Sequence, residues 1–216
     1  MTTPTPGNVS QLGDYNQVFA ATPSGLQTAG GLYVAPAGTP LPDDVDEPLN
    51  AAFKSLGYVS SDGVTIAIDG STTPIEVWSG ERIGSLRDAF SIEYSMSLYQ
   101  VLSPHVNAVI FGDGSVTTAA ATAEHGNRMK VAIGSRMPKI ASLVLDAFFE
   151  DKMIRQVAEL VQMSDIDDIT LVHNEPMAFQ PTFSVFRGSN GDHVVQYSDD
   201  GQRIALTRSG RCVADS

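Results

Sequence analysis

The chain has 216 residues, of which 42% are hydrophobic and only 18% charged, with a formal net charge of -12 and a single cysteine. That length fits one domain with a real core. The acidic balance excludes a phosphate-gripping nucleic-acid binder, whose affinity comes from neutralising phosphates. The lone Cys212 excludes an internal disulfide, and no apolar run nears the roughly 20 residues of a membrane span. The opening MTTPTPGNVSQ has neither the basic stretch nor the apolar centre of a signal peptide, so the chain is expected to start soluble in a cytoplasm. A charge density below the roughly 25% usual for soluble domains suits a surface largely covered by copies of itself.

Residues 1–30 read as an N-terminal arm. Thr, Ser, Pro and Gly fill 14 of these 30 positions, which leaves too little apolar surface to offset ordering entropy alone. The scattered Val9, Leu12, Tyr15, Val18, Phe19 and Leu26 suit an arm that orders against a neighbouring copy. A plain disordered terminus is the other reading. Gly31–Ala35 is a short apolar strand. Pro36 to Thr73 is long and turn-rich, with a short helix expected over Pro48–Leu56 and a small strand over Val64–Ile68. Residues 31–72 hold Asp43, Asp44, Asp46, Glu47, Asp62 and Asp69 against Lys54 alone. This is either a solvated acidic loop or a docking surface for a basic partner.

Ile75–Ser79 reads as a strand with Trp78 as core material. Arg87–Leu98 has the clearest period of two, with Phe90, Ile92, Tyr94, Met96 and Leu98 on one side and Ser91, Glu93, Ser95 and Ser97 on the other. That pattern marks a strand with one buried and one polar face. Ser103-Pro104 is an N-cap followed by proline at the first helical position. Val106, Val109 and Ile110 follow at helical spacing and Gly112 ends the run, so one helix over 103–111 should pack on a sheet. Residues 114–127 read as a small-residue loop.

The remainder is mostly β. Strands are expected over Arg128–Ile133, Ser142–Glu150, Met153–Val161, Ile169–His173, Met177–Phe186 and His193–Tyr197. Met153–Met163 also fits a helix face, with strand preferred. Asn190-Gly191 signals a hairpin between the last two strands. Residues 199–216 form a polar tail.

Groups for catalysis do not converge. His105, His125, His173 and His193 form no close metal pair. Cys212 lies in the polar tail with no partner motif. Phe111-Gly-Asp-Gly-Ser115 lacks the lysine and following helix of a phosphate loop. Asp165, Asp167 and Asp168 lack the glycine and distal glutamate of an EF-hand, so a solvated turn is favoured. No catalytic residue, metal ligand or cofactor is expected, and the chain reads as structural rather than enzymatic.

Three stretches carry a resemblance: GLYVAPAGTPLPDDVDEPLNAAFKSLGYVSSDGVTIA over 31–67, PIEVWSGERI over 74–83, and RDAFSIEYSMSLYQVL over 87–102 leading into the helix that ends in Phe111-Gly112. With Phe53, Leu56-Gly57-Tyr58-Val59-Ser60, Asp62-Gly63-Val64, Trp78 and Glu93 at their places, the chain resembles the major tail tube proteins of siphophages, notably those infecting actinobacteria. Arg136-Met-Pro-Lys139 looks like the family's basic element before a strand. The nearly uncharged SMSLYQVLSP departs from the longer charged run common in the family.

The resemblance implies a mainly β fold, a two-sheet sandwich or barrel with one flanking helix, a tube domain over 31–198 and a long stacking loop over 37–73. It implies homohexameric rings stacked into a tube in the virion tail, assembled in the host cytoplasm. The partners implied are further copies, a tape measure protein, tail terminator and baseplate or distal tail proteins, and DNA that passes without adhering. Inter-ring contacts are expected between Asp43, Asp44, Asp46, Glu47 and Tyr58 and the basic Arg128, Lys130, Arg136 and Lys139. Glu93, then Glu76 and Glu150, are expected to face the lumen. A tail terminator, a distal tail protein or a β-sandwich decoration module are the alternatives.

Overall fold

The computed structural model describes residues 18–23 and 31–202. In chain order the strands are β1 (Thr22–Pro23), β2 (Leu32–Pro36), β3 (Lys54–Ser55), β4 (Val59–Glu76) and β5 (Arg82–Leu98). Helix α1 (Pro104–Phe111) follows, then β6 (Val116–Ala119), β7 (Arg128–Val131), β8 (Ala141–Phe149), β9 (Lys152–Ile166), β10 (Pro181–Phe186) and β11 (Val195–Asp199). Nine strands form one antiparallel sheet with the order β3-β2-β8-β9-β10-β5-β4. β1 adds to the edge of β8 and β11 to the edge of β9, and β6 and β7 make a separate two-stranded sheet. The class is as expected: mainly β, two sheets and one flanking helix.

Long β9 organises the sheet. One edge pairs with β8 from Lys152 to Val161. The other is shared end to end by β11, at residues 153–157, and β10, at residues 160–166. Its period of two wins over the helical reading because three neighbouring strands supply its hydrogen bonds.

The expected alternation of β5 holds. Ile92, Tyr94, Met96 and Leu98 are buried, and they join Leu32, Leu143, Ala158, Val161, Phe183 and Val185 in one core. Helix α1 closes that core with Val106 and Ile110, and Phe111 meets Phe179 edge-on at 5.7 Å. Pro104 opens the helix as expected. Ser103, however, makes no side-chain cap; Asn107 is buried instead, and its amide donates to the carbonyls of Val101 and Ser103 at 2.7 and 2.9 Å.

A second, smaller core lies on the opposite side of β2, β8 and β9. Ala35, Phe53, Val144 and Val157 are buried there, with Leu41, Leu49 and Ala52 packed against them. This explains why the helix expected over Pro48–Leu56 does not form. Leu49, Ala52 and Phe53 lie over the back of the sheet, and the segment runs through β3 into Leu56, which joins the main core.

Four further differences have local causes. The strand expected over Val64–Ile68 runs the full 18 residues of β4, because hairpin pairing with β5 satisfies its backbone through Asp69–Thr73. Within 114–127 the chain forms β6 and turns back to β7. Ile169–His173 is not a strand. Asn190-Gly191 does turn the chain, with Gly191 at φ 92, but β10 and β11 do not pair with each other. The turn is an excursion between two strands on one edge of β9, tethered where Glu159 accepts from the Ser189 N–H at 2.7 Å.

Val18 and Phe19 of the expected arm lie against their own subunit. Lys152 Nζ donates to the Val18 carbonyl at 3.0 Å, and the Phe19 and Phe149 rings meet edge-on. Val9, Leu12, Tyr15 and Leu26, and the tail from residue 203 with Cys212, lie outside the described residues.

Candidate assembly surfaces

The most prominent surface is an arm. β5 pairs with β10 only over Ile92–Ser95, whereas β4 and β5 continue together to Glu76 and Arg82. Beyond Ile68 the hairpin leaves the sheet, and residues 68–89 are all exposed. At about 3.3 Å per residue, the stretch from Ile68 to Trp78 reaches some 30 Å. The tip is a turn in which the Gly80 N–H donates to the Val77 carbonyl at 2.8 Å, with Gly80 at φ 79.

Trp78 is second in that turn and wholly exposed, at 105% of its reference area. The sequence reading of Trp78 as core material is therefore wrong. The strand expected over Ile75–Ser79 stops at Glu76, where β4 ends, so Trp78 stands in the turn with no second layer over it. Ile68, Ile75, Val77, Ile83 and Leu86 are exposed along the same arm. Ser79-Gly80 was the available signal, since that dipeptide marks a turn between two β runs.

The acidic segment is pinned at its centre. Val45 is buried, and the Arg155 Nη1 donates to the carbonyls of Asp44 and Glu47 at 2.9 and 2.7 Å. The carboxylates of Asp43, Asp44, Asp46 and Glu47 remain exposed. Two also act locally: Asp44 Oδ1 accepts from the Val45 N–H and Glu47 Oε2 from the Asp43 N–H. Tyr58 is 61% exposed at the base of the arm.

The basic residues form a separate surface. Arg128 and Lys130 alternate on β7, while Arg136 and Lys139 lie on the segment leading to β8; all four are exposed. Lys139 Nζ approaches Asp113 at 3.4 Å, an exposed contact worth about 0–1 kcal/mol. Within one subunit the acidic and basic groups are not brought together.

The three expected lumen residues lie in three places. Glu93 stands on the face of the sheet opposite α1. Register places Ala67, Glu93, Ser184 and Gln162 in one row across four strands, and Ser184 Oγ donates to Glu93 at 3.3 Å. Thr65, Asp69, Ser91, Ser95, Ser97 and Thr182 flank that row with no lysine or arginine among them. Glu76 lies at the end of the arm opposite Arg82. Glu150 is not on a strand: it opens the two-residue turn between β8 and β9 at φ 55.

Among the described residues no three His, Cys, Asp or Glu side chains gather to hold a metal ion. What these surfaces offer is contact: an 18-residue edge strand, an apolar arm and separated charge. A family model described as phage tail tube protein matches residues 23–205. The chain belongs to the phage tail tube protein family. The match takes in the arm, the acidic segment, the basic segment and the polar face together. No curated protein matches the chain. Among solved structures, a chain from the virion of a native gene transfer agent particle is 12% identical, with a TM-score of 0.36 over 73% of this chain and 92% of that one. As a tail tube family member the protein is a structural component of a virion tail.

Proposed function

We propose that six copies of this subunit form a ring and that rings stack into the hollow tube through which DNA passes to the host. The observation that carries the reading is the β4–β5 edge. Long, exposed and apolar sheet edges invite uncontrolled pairing, and a native protein keeps one only where something covers it. Joining the sheets of neighbouring copies into a closed barrel removes such edges. The arm then extends beyond its own ring, and a contact between unlike surfaces that does not close on itself builds an open tube. Further partners on this reading are a tape measure protein along the axis and terminator and distal tail proteins at the ends.

Negative-stain imaging of the purified protein across a concentration series tests this. Rings of six at low concentration and tubes at high concentration are expected. A subunit that stays monomeric at high concentration overturns the reading, and six-membered rings that never stack point to a terminator instead.

A further inference from the structure

Two features of the subunit are complementary, yet lie on different parts of it. One is the arm tip. Trp78 is the chain's only tryptophan and is held wholly in water, with apolar Ile75 and Val77 beside it. Glu76 and Glu81 outweigh Arg82 and leave the tip net negative. An indole carries a large apolar area and one polar handle, a donor N–H.

The other feature is a cavity of about 500 Å³ between α1, β2 and the segment leading into β8. Val109, Ile140, Met163 and Phe183 give it apolar walls, and small Ala52 and Ala108 leave it open. Lys54 and Lys139 stand at its rim, with Asp113 the acidic residue there. Among the described residues, His105 Nε2 is the buried side-chain polar atom without a hydrogen-bond partner, and His105 lines this cavity. Burial first, and then the Lys54 charge, holds the ring below its ordinary pKa of 6.5.

We propose that Trp78 at the arm tip of one copy seats in the cavity beside α1 of a neighbouring copy, against the apolar walls given by Val109, Ile140, Met163 and Phe183. Glu76 and Glu81 then face Lys54 and Lys139. Each half answers the other: exposed apolar area meets an apolar cavity, and charge meets opposite charge. The contact joins unlike surfaces, so every copy offers a free tip and a free cavity to the next. This deepens the tube reading and rests on it.

The single tryptophan makes the test direct. Emission and acrylamide quenching of the full-length protein are followed as it assembles, with tubes counted by electron microscopy. The expected result is a blue shift and loss of quenching in step with tube formation. Trp78→Ala should raise the concentration needed for assembly about tenfold or more, the scale of a buried aromatic anchor, without changing the subunit's thermal unfolding. Ala108→Leu, which fills the cavity, should raise it similarly and abolish the shift in any tubes that form. The paired swap Glu81→Lys with Lys139→Glu should restore part of what either change alone removes, which separates lost docking from a misfolded subunit. Wild-type tubes whose tryptophan stays as quenchable as in the free subunit overturn the docking and leave the tube reading standing. So do Ala108→Leu tubes with an unchanged shift, since the indole then sits elsewhere. Wild-type protein that forms no tubes at any concentration overturns both.

Discussion

Arg155 and Asp146 face each other across β9 and β8 in a two-pronged ion pair, Nε to Oδ1 at 2.7 Å and Nη2 to Oδ2 at 2.9 Å, with both side chains buried. The remaining nitrogen of Arg155 holds the Asp44 and Glu47 carbonyls. One guanidinium thus ties the sheet to the segment that covers its back.

Arg155→Ala leaves the Asp146 carboxylate buried without its partner and releases the 41–49 segment. The expected loss is about 3–5 kcal/mol, measured by urea unfolding. Replacing both residues with leucine should recover much of that, because a buried pair has little net value over well-packed apolar side chains. Hydrogen exchange in 41–53 should rise in the single variant. A loss below about 1 kcal/mol would mean that the segment is held by Phe53 and Leu49 rather than by the arginine.

A pH dependence follows from His105. Its folded-state pKa lies below 6.5, so the unfolded chain takes up the proton first as pH falls. The neutral ring's contribution is complete above about pH 6.5 and is lost progressively below it. The Lys54 charge adds to this shift, while a hydrogen bond to the Lys54 backbone and the Asp113 charge oppose it. Urea midpoints of the wild type and His105→Gln, compared from about pH 8 to about pH 5, should diverge in the acid half. Carboxylate contributions are common to both and cancel, so parallel curves would show that the ring already titrates normally in the folded subunit.

Much of the architecture could be read from local pattern. The alternation over Arg87–Leu98 depends only on a strand having one buried face, and Tyr94 and Leu98 lie fully buried as that requires. The Pro104 helix start is equally local. What escaped depends on what lies above or beyond a strand. IEVWS has the composition of a core strand, but whether Trp78 is covered depends on where β10 stops, far away in sequence. Asp69–Thr73 carries turn-forming residues, yet stays extended because β5 runs opposite. Leu49 and Phe53 fit a helix face and are spent on the second core. The acidic run and the basic cluster were legible as composition, while the apolar arm was not.

The acidic segment should act through its free carboxylates. Asp44 and Glu47 accept local backbone hydrogen bonds, whereas the exposed carboxylates of Asp43 and Asp46 accept none from the described residues of that turn. Asp43→Asn with Asp46→Asn is therefore expected to change subunit stability by less than about 0.5 kcal/mol. If the segment meets Arg128, Lys130, Arg136 or Lys139 of the next ring, the same double variant should shorten tubes, and more so at low salt, where exposed pairs are least screened. Each pair is worth at most about 1 kcal/mol but recurs at every ring. Tubes of unchanged length at low salt would remove this segment from the stacking contact.

The face that carries Glu93 bears on the proposed passage of DNA. In a tube that conducts DNA, fixed positive charge along the channel would hold phosphates by releasing their counterions. The row Ala67–Glu93–Ser184–Gln162 and its flanks on β4 and β5 are mostly polar and free of lysine and arginine, with the Phe186–Leu160 pair beside it. Helix α1 packs on the opposite side of the sheet, so it does not cover this face. Closing the sheets of six copies with that face inward would line the wall with one carboxylate per subunit per ring. Screening acts within about 8 Å at physiological salt, so charges on the wall matter to DNA while those on the arm or the β8–β9 turn do not. On this proposal Glu93, rather than Glu76 or Glu150, is the candidate for the channel wall. Glu93→Lys virions should assemble with normal tail length and eject DNA more slowly, with the defect shrinking as salt rises. A structure of the assembled tube fixes the siting: Glu93 buried between subunits would place the wall elsewhere. If a lysine shown to line the channel leaves ejection rate and infectivity untouched, the wall works by its polarity, and its charge is irrelevant to passage.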